Sequence, residues 1–492
     1  MTDNLQVKYF ITAILPLKLE WEPWYYTDRP LERGTRIRVK LAGKEYIAVV
    51  DGIFGHPGID EGKIRSIEKV EEGLARITSE ELKLWHFISE YYMCTLGEVY
   101  KTAYPAVKTV VEARKPRKKN TEDKEDNLIT ERLVFNDERP VLLVAPNRSS
   151  TYKDLIEKKL KEGKDILYLS PSAPALSYTQ IRDISSSVRS TVSEPRVIFG
   201  RKSALFLPYA KLGLIIVDEE ADISYKQNSP APRYNGRDVA VMLAGIHGAD
   251  IVLGSSSPSL ESIYNVNSGK YRLIEYQGNK CPVDLIDTTR EARKNGMEGD
   301  LSKKLLAIKE QVEVGKKKML IVESWELGKA LRLKLDKYAA VAVLHFEFLL
   351  SRQDFRADEK ALRLIERLRS EARRLVIQTK DASHPVFSGR ADLMAERKEF
   401  NLPPFRRQIN IIIKDFNRER LDKLSGELSN IIAGNGFSGS VSERADNTFS
   451  FSIFLAKDKS LGPDKKKIAR IISDFETSRK YSGHITINVD PL

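Results

Sequence analysis

From residue 139 onward, short and almost purely apolar runs alternate with longer helical stretches. Five such runs stand at residues 141–144, 166–169, 197–199, 214–217 and 251–253. Strands without polar alternation are typical of a parallel sheet that helices cover on both faces. The pattern therefore predicts an α/β core with a doubly wound sheet, whose ligands should lie beyond the carboxyl ends of the strands.

Composition divides the chain into five parts: a β-rich N-terminal unit, a charged linker, the α/β core, a smaller α/β region and an α+β unit. Their expected boundaries are residues 1–111, 112–138, 139–277, 278–400 and 401–492. In the first part, Thr35–Val39 and Tyr46–Val50 alternate as the two strands of a hairpin should. Thr78 and Glu81 then form the capping box of a predicted helix.

Charge points to a polyanionic partner. The chain has 492 residues, 81 basic and 69 acidic, and a net charge of +12, so nucleic acid is the first partner to consider. No apolar run approaches the roughly 18 residues of a membrane span, so we expect no membrane contact. The two cysteines form no CxxC pair and the six histidines show no ligand spacing, so we expect a cytoplasmic location and no zinc.

The most distinctive acidic segment is Asp218-Glu219-Glu220, which follows the apolar run at residues 214–217. In nucleotide hydrolases, an Asp at this edge of a parallel sheet holds Mg²⁺ and a Glu orients the attacking water. Three acids after a strand are more often only a polar loop. The flanking residues decide between these interpretations.

Those flanks resemble the helicase core of the PriA family, the superfamily 2 DNA helicases of replication restart. Segments of this chain are similar to the family's GTRSALF, DEEH-x-x-SYKQ, PRY-x-ARDVAV and GSATPSLES motifs, at Gly200–Phe206, Asp218–Gln227, Pro232–Val241 and Gly254–Ser262. Further similar segments lie outside the core, at Glu90–Val99, Leu402–Phe405 and Val489–Pro491. The resemblance implies a RecA-like doubly wound core with a reduced second lobe, between a β-rich DNA-binding domain and a small α+β C-terminal domain.

The sequence departs from the family where ATP would bind. The glycine-rich GxTGSGKT loop is replaced by Ala145–Tyr152, in which Ser149, Ser150 and Thr151 are the remaining candidates for phosphate contact. Thr151 stands in place of the phosphate-binding Lys. Lys153, two positions on, is rotated by about 200° around the helix, so we expect no local cation to replace that Lys.

Other family features are missing as well. Ala221 replaces the histidine of the DEEH box, and no QVAGRAGR motif is present, although Arg373 and Arg374 stand close to its expected position. The zinc-binding cysteine cluster is absent, and the linker leaves no room for the family's winged-helix domain. Asp218 and Glu219 are therefore the candidate catalytic residues of a remnant site, with Asp218 the candidate Mg²⁺ ligand.

The N-terminal unit retains more of the family pattern. The resemblance implies a pocket for the 3′ end of a DNA strand at Trp24, Tyr25, Gly43 and Arg65. Trp24 could stack on a base and Arg65 could contact phosphate, whereas Tyr25 replaces the acid that would accept the 3′-hydroxyl. The alternative is that Trp24 and Tyr26 form hairpin core.

Three functions follow. The leading hypothesis is a PriA-like replication-restart protein that binds branched or single-stranded DNA and has lost ATPase and helicase activity. The alternatives are an active, divergent 3′-5′ helicase that uses ATP and Mg²⁺, and a protein-interaction scaffold without catalysis. Replication-restart proteins and single-strand-binding protein are the protein partners that the resemblance implies.

Overall fold

The computed structural model describes residues 8–105 and 138–491, apart from 146, 175–183, 185–186, 277–279, 331–332, 351–354, 445–446 and 479–484. The linker predicted at residues 112–138 lies outside the described residues except for Glu138. Among the helices that are described, none combines the length and the apolar character that crossing a membrane requires.

The N-terminal unit consists of a curled sheet followed by two helices. Its elements are β1 (Tyr9–Ile14), β2 (Trp24–Thr27), β3 (Arg36–Leu41), β4 (Lys44–Phe54), β5 (Arg65–Ser66), β6 (Lys69–Val70), α1 (Ser79–Tyr92) and α2 (Leu96–Ala103). The strands are ordered β5-β2-β1-β4-β3-β6. The Tyr25 hydroxyl on β2 reaches the Lys40 carbonyl on β3 at 3.3 Å, although two strands separate β2 from β3 in the sheet, so the sheet closes on itself.

Local sequence signals explain two boundaries in this unit. The predicted hairpin is confirmed as β3–β4, and its turn residues Ala42 and Gly43 have φ of 47° and 77°, the left-handed backbone that a two-residue hairpin turn needs. The predicted capping box is also confirmed. Thr78 Oγ1 accepts from Glu81 N at 3.1 Å, and the Glu81 carboxylate accepts from Thr78 N at 2.9 Å.

The first lobe of the core is a six-stranded parallel sheet. Its elements are β7 (Val141–Val144), α3 (Ser149–Lys161), β8 (Asp165–Leu169), β9 (Val197–Gly200), β10 (Leu212–Asp218), α4 (Gly236–His247), β11 (Asp250–Ser255), α5 (Leu260–Asn267) and β12 (Arg272–Glu275). The strand order is β12-β7-β11-β10-β8-β9. All five apolar runs are strands, and the carboxyl ends of β7, β11 and β10 meet at one edge.

The second lobe is a smaller parallel sheet of four strands in the order β13-β18-β17-β16. A two-stranded hairpin, β14–β15, is attached to it. The elements are β13 (Val283–Asp287), α6 (Thr288–Lys294), β14 (Met297–Glu298), β15 (Leu301–Ser302), α7 (Lys303–Val314), β16 (Met319–Glu323), α8 (Leu327–Ala330), β17 (Ala340–Leu344), α9 (Glu347–Leu350), α10 (Ala357–Glu371), β18 (Leu375–Thr379) and α11 (Arg390–Glu399).

The C-terminal unit is an antiparallel sheet packed against two helices, as the sequence predicts. It contains β19 (Arg406–Lys414), α12 (Arg418–Gly434), β20 (Gly439–Arg444), β21 (Thr448–Ala456), α13 (Leu461–Ser478) and β22 (Ile485–Val489), with strand order β20-β21-β19-β22. One continuous apolar core joins this unit to the first lobe and to α1, through residues such as Ile411, Ile215 and Ile88. The first lobe is therefore held on two sides.

Candidate functional site

The acidic segment lies at the carboxyl edge of the first-lobe sheet, where the sequence predicts chemistry. Asp218 ends β10, Glu219 follows with φ of 50°, and Glu220 is buried beneath them. A left-handed backbone is unfavourable for a residue with a side chain, so the surrounding contacts must hold Glu219 in this conformation.

The guanidinium of Arg148 fills the space in front of these carboxylates. Its Nε and Nη2 donate to Asp218 Oδ1 at 3.0 and 2.8 Å, Nη2 also donates to Glu219 Oε1, and Nη1 donates to the Ala145 carbonyl at 2.6 Å. Arg148 is only 7% exposed. Arg148 is therefore a local cation that sequence reasoning missed, and it is paired with the acids rather than left for a phosphate.

Tyr152 completes this cluster. Its hydroxyl donates to Asp218 Oδ1 at 2.9 Å and accepts from Arg148 Nε at 3.1 Å. Gly254 on β11 makes room for the ring, because a Cβ at Gly254 would overlap the Tyr152 hydroxyl and lie 3.0 Å from Arg148 Cδ. The cluster thus draws on the ends of three strands, β7, β10 and β11.

Electrostatics favour the charged form of this arginine. Burial by itself would lower the pKa of Arg148, but Tyr152, Glu219 and Asp218 together raise it above its ordinary value. Burial raises the pKa of Glu219, and the positive charge of Arg148 offsets this only in part. A buried charge that lost its partner would be strongly destabilising, so the cluster is stable as a unit.

The predicted phosphate-contact residues lie at the start of α3. Ser149 and Ser150 are exposed, whereas Thr151 is buried and its hydroxyl has no hydrogen-bond partner among the described residues. The backbone N–H of Ser149 donates to Asn147 Oδ1 at 3.0 Å, so a side chain already occupies one donor of the helix N-terminus. Lys153 is exposed on the side of α3 that faces solvent, as its spacing predicts.

These residues do not fit an ATP–magnesium complex. Asp218, the expected Mg²⁺ ligand, accepts three hydrogen bonds on one carboxylate oxygen, and Glu219 is paired with the same guanidinium. A phosphate-binding loop offers several free backbone N–H groups and a lysine, whereas here Arg148 is bonded to the acids. The site is chemically an internal ion pair.

Glu220 links the acidic edge to the segment at 254–262. Its carboxylate accepts from Ser259 N at 2.7 Å, from the hydroxyls of Ser259 and Ser262 at 3.0 and 2.9 Å, and from Arg237 Nη1 at 3.1 Å. Three of the motifs that carry the family resemblance therefore meet at one buried carboxylate. This connection was not foreseen from the sequence.

The second lobe packs against the same edge through α10 and the residue before it. Arg363 Nη1 donates to the carbonyl of Ala221, the residue that replaces the family's histidine, and Arg356 Nη1 donates to Glu261 Oε1 at 2.9 Å. Arg374, one of the two arginines near the expected arginine motif, instead pairs with Asp284 Oδ2 at 2.7 Å across β13 and β18. Arg363 thus joins the second lobe to the first.

In the N-terminal unit the four predicted DNA-contact residues do not all share one face. Tyr25 is 3% exposed and packs inside the curled sheet, and burial raises the pKa of its hydroxyl. Its backbone pairs with that of Arg65, whose side chain is exposed, while Gly43 lies in the β3–β4 turn. Tyr25 therefore has a packing role, whereas Arg65 remains accessible.

Trp24 points away from Tyr25, as neighbouring residues in a strand do. Its ring packs against Phe54 with centroids 4.9 Å apart, and Phe54 is 42% exposed. Two half-open aromatic rings side by side form a surface on which a base can stack. Phe54 was missed at the sequence level, although its position at the exposed end of a strand that pairs with β1 was a usable signal.

The two parallel sheets, with an acidic strand end where they meet and a β-rich N-terminal domain before them, define a two-lobed α/β protein. Residues 16–105 match the 3′DNA-binding domain of PriA. The replication restart protein PriA of Rickettsia conorii is 33% identical over 336 residues, which is 60% of this chain and 50% of that protein. Over these stretches the chain is similar to PriA.

Other relatives and solved structures match shorter stretches or match weakly. PriA of Chlamydia pneumoniae is 35% identical over 192 residues, covering 37% of this chain and 24% of that protein. The structure of RecG bound to a three-way DNA junction matches at 13% identity with a TM-score of 0.23, covering 54% of this chain and 38% of that chain. The chain spans about half the length of the Rickettsia relative.

Proposed function

We propose that this chain is a PriA-like replication-restart protein that binds single-stranded or branched DNA and does not unwind DNA with ATP. The loss of ATP-driven unwinding is inferred from the hydrogen bonds that Arg148 donates to both Asp218 and Glu219. A helicase needs those carboxylates for Mg²⁺ and for the attacking water. Here a charged side chain of the protein itself neutralises them.

Three features support DNA as the partner. The N-terminal domain matches a 3′DNA-binding domain, the Trp24–Phe54 surface offers stacking, and the net charge of +12 favours a polyanion. Arg65 is exposed and available to a phosphate. Because Tyr25 is buried, we infer that selectivity for a 3′ end is weak and that the protein takes single strands and forks by stacking and charge.

Protein partners and location follow from the PriA-like character of the chain. We propose replication-restart proteins or single-strand-binding protein as partners, and the cytoplasm as the location. No zinc is needed in the way the family uses it, because the chain has only two cysteines. Cys281 is buried and Cys94 is half-buried at the end of α1.

DNA binding is tested by fluorescence anisotropy with a labelled fork and a labelled single strand at low salt. The full chain should bind both, and Trp24→Ala should weaken binding by about 1–3 kcal/mol, the cost of losing one base-stacking ring. Trp21→Ala is the matched control, since Trp21 lies in the same unit, is 55% exposed and is not part of the Trp24–Phe54 pair. If neither DNA binds even at low salt, the interaction scaffold becomes the better reading.

Loss of catalysis is tested with the same DNA. We expect no ATP hydrolysis above background with or without the fork, because the acids are committed to Arg148. Fork-stimulated hydrolysis that Asp218→Asn abolishes would establish the divergent helicase instead. The two tests are independent, so DNA binding and loss of ATPase activity can fail separately.

A further inference from the structure

A second cluster of ligating side chains lies in the second lobe, on the same type of sheet edge as the acidic segment of the first. Glu323 is the last residue of β16, His345 directly follows β17, and Asp300 lies in the β14–β15 turn. One ligand atom from each lies within 4.8 Å of the other two. Successive members stand 23 and 22 residues apart in the chain, so spacing along the sequence conceals them.

The distances in this cluster suit a shared cation better than hydrogen bonds. His345 Nε2 lies 3.7 Å from Asp300 Oδ1 and 3.8 Å from Glu323 Oε2, both beyond hydrogen-bond range. Nitrogen and oxygen ligands lie about 2.0–2.2 Å from a metal such as Zn²⁺, which places neighbouring donors roughly 3–4 Å apart. The two distances from His345 Nε2 fall in this range, and all three ligand atoms lie within 4.8 Å of one another.

One of the carboxylate oxygens needs a partner. Glu323 Oε2 is inaccessible to solvent and makes no hydrogen bond within the described residues. A buried carboxylate oxygen without a hydrogen-bond donor carries a desolvation cost, and His345 Nε2 at 3.8 Å is too far away to donate to it. A cation between Glu323, Asp300 and His345 would remove that cost.

Outer contacts hold the ligands in place. Gln378 on β18 is buried; its Nε2 donates to the Asp300 carbonyl at 2.9 Å, its Oε1 accepts from Ser302 N at 2.9 Å, and its carbonyl accepts from Phe346 N at 3.1 Å. A single residue thus fixes the backbone beside two of the three ligands. Metal sites depend on this kind of support.

The imidazole itself is also oriented. Trp325 stacks on His345 with ring centroids 5.7 Å apart and an interplanar angle of 15°. The second ring nitrogen, Nδ1, lies 3.8 Å from Glu347 Oε1. A small movement of the Glu347 carboxylate toward Nδ1 gives the carboxylate–histidine–metal arrangement that stabilises a ligating imidazole. The Nε2 atom is left for the cation.

We propose that Asp300, Glu323 and His345 bind one divalent first-row transition metal. One imidazole and two carboxylates match the preference of Zn²⁺ or Mn²⁺, and the two negative charges balance the ion. Three protein ligands leave further positions for water on the side of Asp300, which is exposed. The metal would tie the β14–β15 turn to the ends of β16 and β17, and this role is separate from DNA binding and from the acidic edge of the first lobe.

The experiment uses the full chain after treatment with a chelator. Isothermal titration and Co²⁺ absorption should show one saturable site with a visible band for nitrogen and oxygen ligands, and an excess of Mg²⁺ should not compete. Asp300→Asn changes an exposed ligand, and His345→Ala removes the imidazole. Each should weaken metal binding at least about tenfold, because tenfold is the lower limit of the loss when only an outer-shell partner of a ligand is removed.

The matched control is His384→Ala. His384 lies in the same lobe and its Nε2 is 3.9 Å from a single carboxylate, Asp358, so it resembles His345 without the third ligand. It should retain full affinity. The proposal is overturned by absence of saturable Co²⁺ or Mn²⁺ binding to folded protein, by equal affinity in Asp300→Asn and the unaltered chain, or by a thiolate charge-transfer band that assigns the ion to a cysteine.

Discussion

Gly254 on β11 lies directly beneath the ring of Tyr152 on α3, so that a Cβ on Gly254 would be 2.9 Å from Tyr152 Cζ and would overlap the hydroxyl. This contact sets the position of the tyrosine that bonds Asp218. The Tyr152 ring can therefore lie in this position only because Gly254 has no side chain.

Gly254→Ala should consequently destabilise the protein, because the ring must move and its bond to Asp218 is lost. Overpacking of this kind costs about 1–3 kcal/mol. The measurement is the urea midpoint followed by circular dichroism. Adding Tyr152→Leu to Gly254→Ala should recover part of the loss, since it removes the atoms that clash.

Gly245→Ala is the control for that substitution. Gly245 is an exposed residue inside α4, and nothing lies within 4 Å of where its Cβ would be. An alanine there should stabilise the chain by about 0.5–1 kcal/mol through backbone entropy. Equal losses for the two glycine variants would contradict the packing argument.

Replacing Arg148 should make the carboxylates of Asp218 and Glu219 available to a metal ion. In Arg148→Gln, Asp218 and Glu219 lose their guanidinium, and we expect a loss of about 3 kcal/mol, at the low end for a broken buried pair because Glu219 is partly exposed. Millimolar Mg²⁺ should then raise the thermal midpoint of the variant more than that of the unaltered chain. Differential scanning fluorimetry measures both effects.

Lys153→Gln serves as the comparison, since it removes an exposed cation from the same helix without touching the acids. It should leave both stability and the response to Mg²⁺ close to those of the unaltered chain. A response to Mg²⁺ that is the same in Arg148→Gln and Lys153→Gln would show that Arg148 does not occupy the position of the ion.

The strands of the first lobe could be predicted because each is a pure apolar run, and burial on both faces leaves a signal within a few residues. The position of the Arg148 guanidinium could not be predicted in this way. Helical spacing reveals a lysine only on α3 itself, whereas Arg148 precedes the helix and reaches Asp218 through its side chain. The direction of a long side chain depends on the neighbouring strand, and only the tertiary structure shows which strand that is.

The same limit applies to the N-terminal unit and to the second lobe. Strand alternation could have shown that Trp24 and Tyr25 point to opposite faces, but the curl of the sheet decides which face is the interior. For His345, the useful signal was that it and Glu323 end neighbouring strands. Only the pairing of β16 with β17 reveals that neighbourhood.

Lys226 should make stability depend on pH in the alkaline range. Its ammonium group is buried and donates to the carbonyls of Arg233 and Val489 at 2.7 and 2.6 Å, which joins the first lobe to the last strand. Burial lowers the pKa of Lys226 to about 8. The unfolded chain, with an ordinary lysine pKa, therefore binds more protons than the folded chain between about pH 8 and pH 10.

Stability should thus rise as the pH increases through that window, by up to about 1.4 kcal/mol per pH unit from this lysine. Lys226→Met keeps the aliphatic stem and removes the titration, so its urea midpoint should rise less. Lys153→Met, at an exposed position, should follow the unaltered chain. Parallel curves for all three proteins would exclude Lys226 as the source.

The ion pair between the lobes offers a different kind of test. Arg356 Nη1 donates to Glu261 Oε1 at 2.9 Å where α5 meets the start of α10, and both side chains are largely buried. Burial would raise the pKa of Glu261, but Arg356 and Arg237 hold it well below its usual range. Glu261 therefore stays charged at neutral pH, and its contribution to stability is lost progressively as the pH falls below the ordinary glutamate pKa.

Removing one partner of this ion pair should lower stability more than replacing both partners with apolar residues. Arg356→Met alone leaves Glu261 charged and buried, and should cost about 3–5 kcal/mol, whereas adding Glu261→Leu removes the stranded charge and should recover most of that loss. The urea midpoints of the two single variants and the double variant give the coupling directly. Additive losses would mean that the pair does not hold the two lobes together.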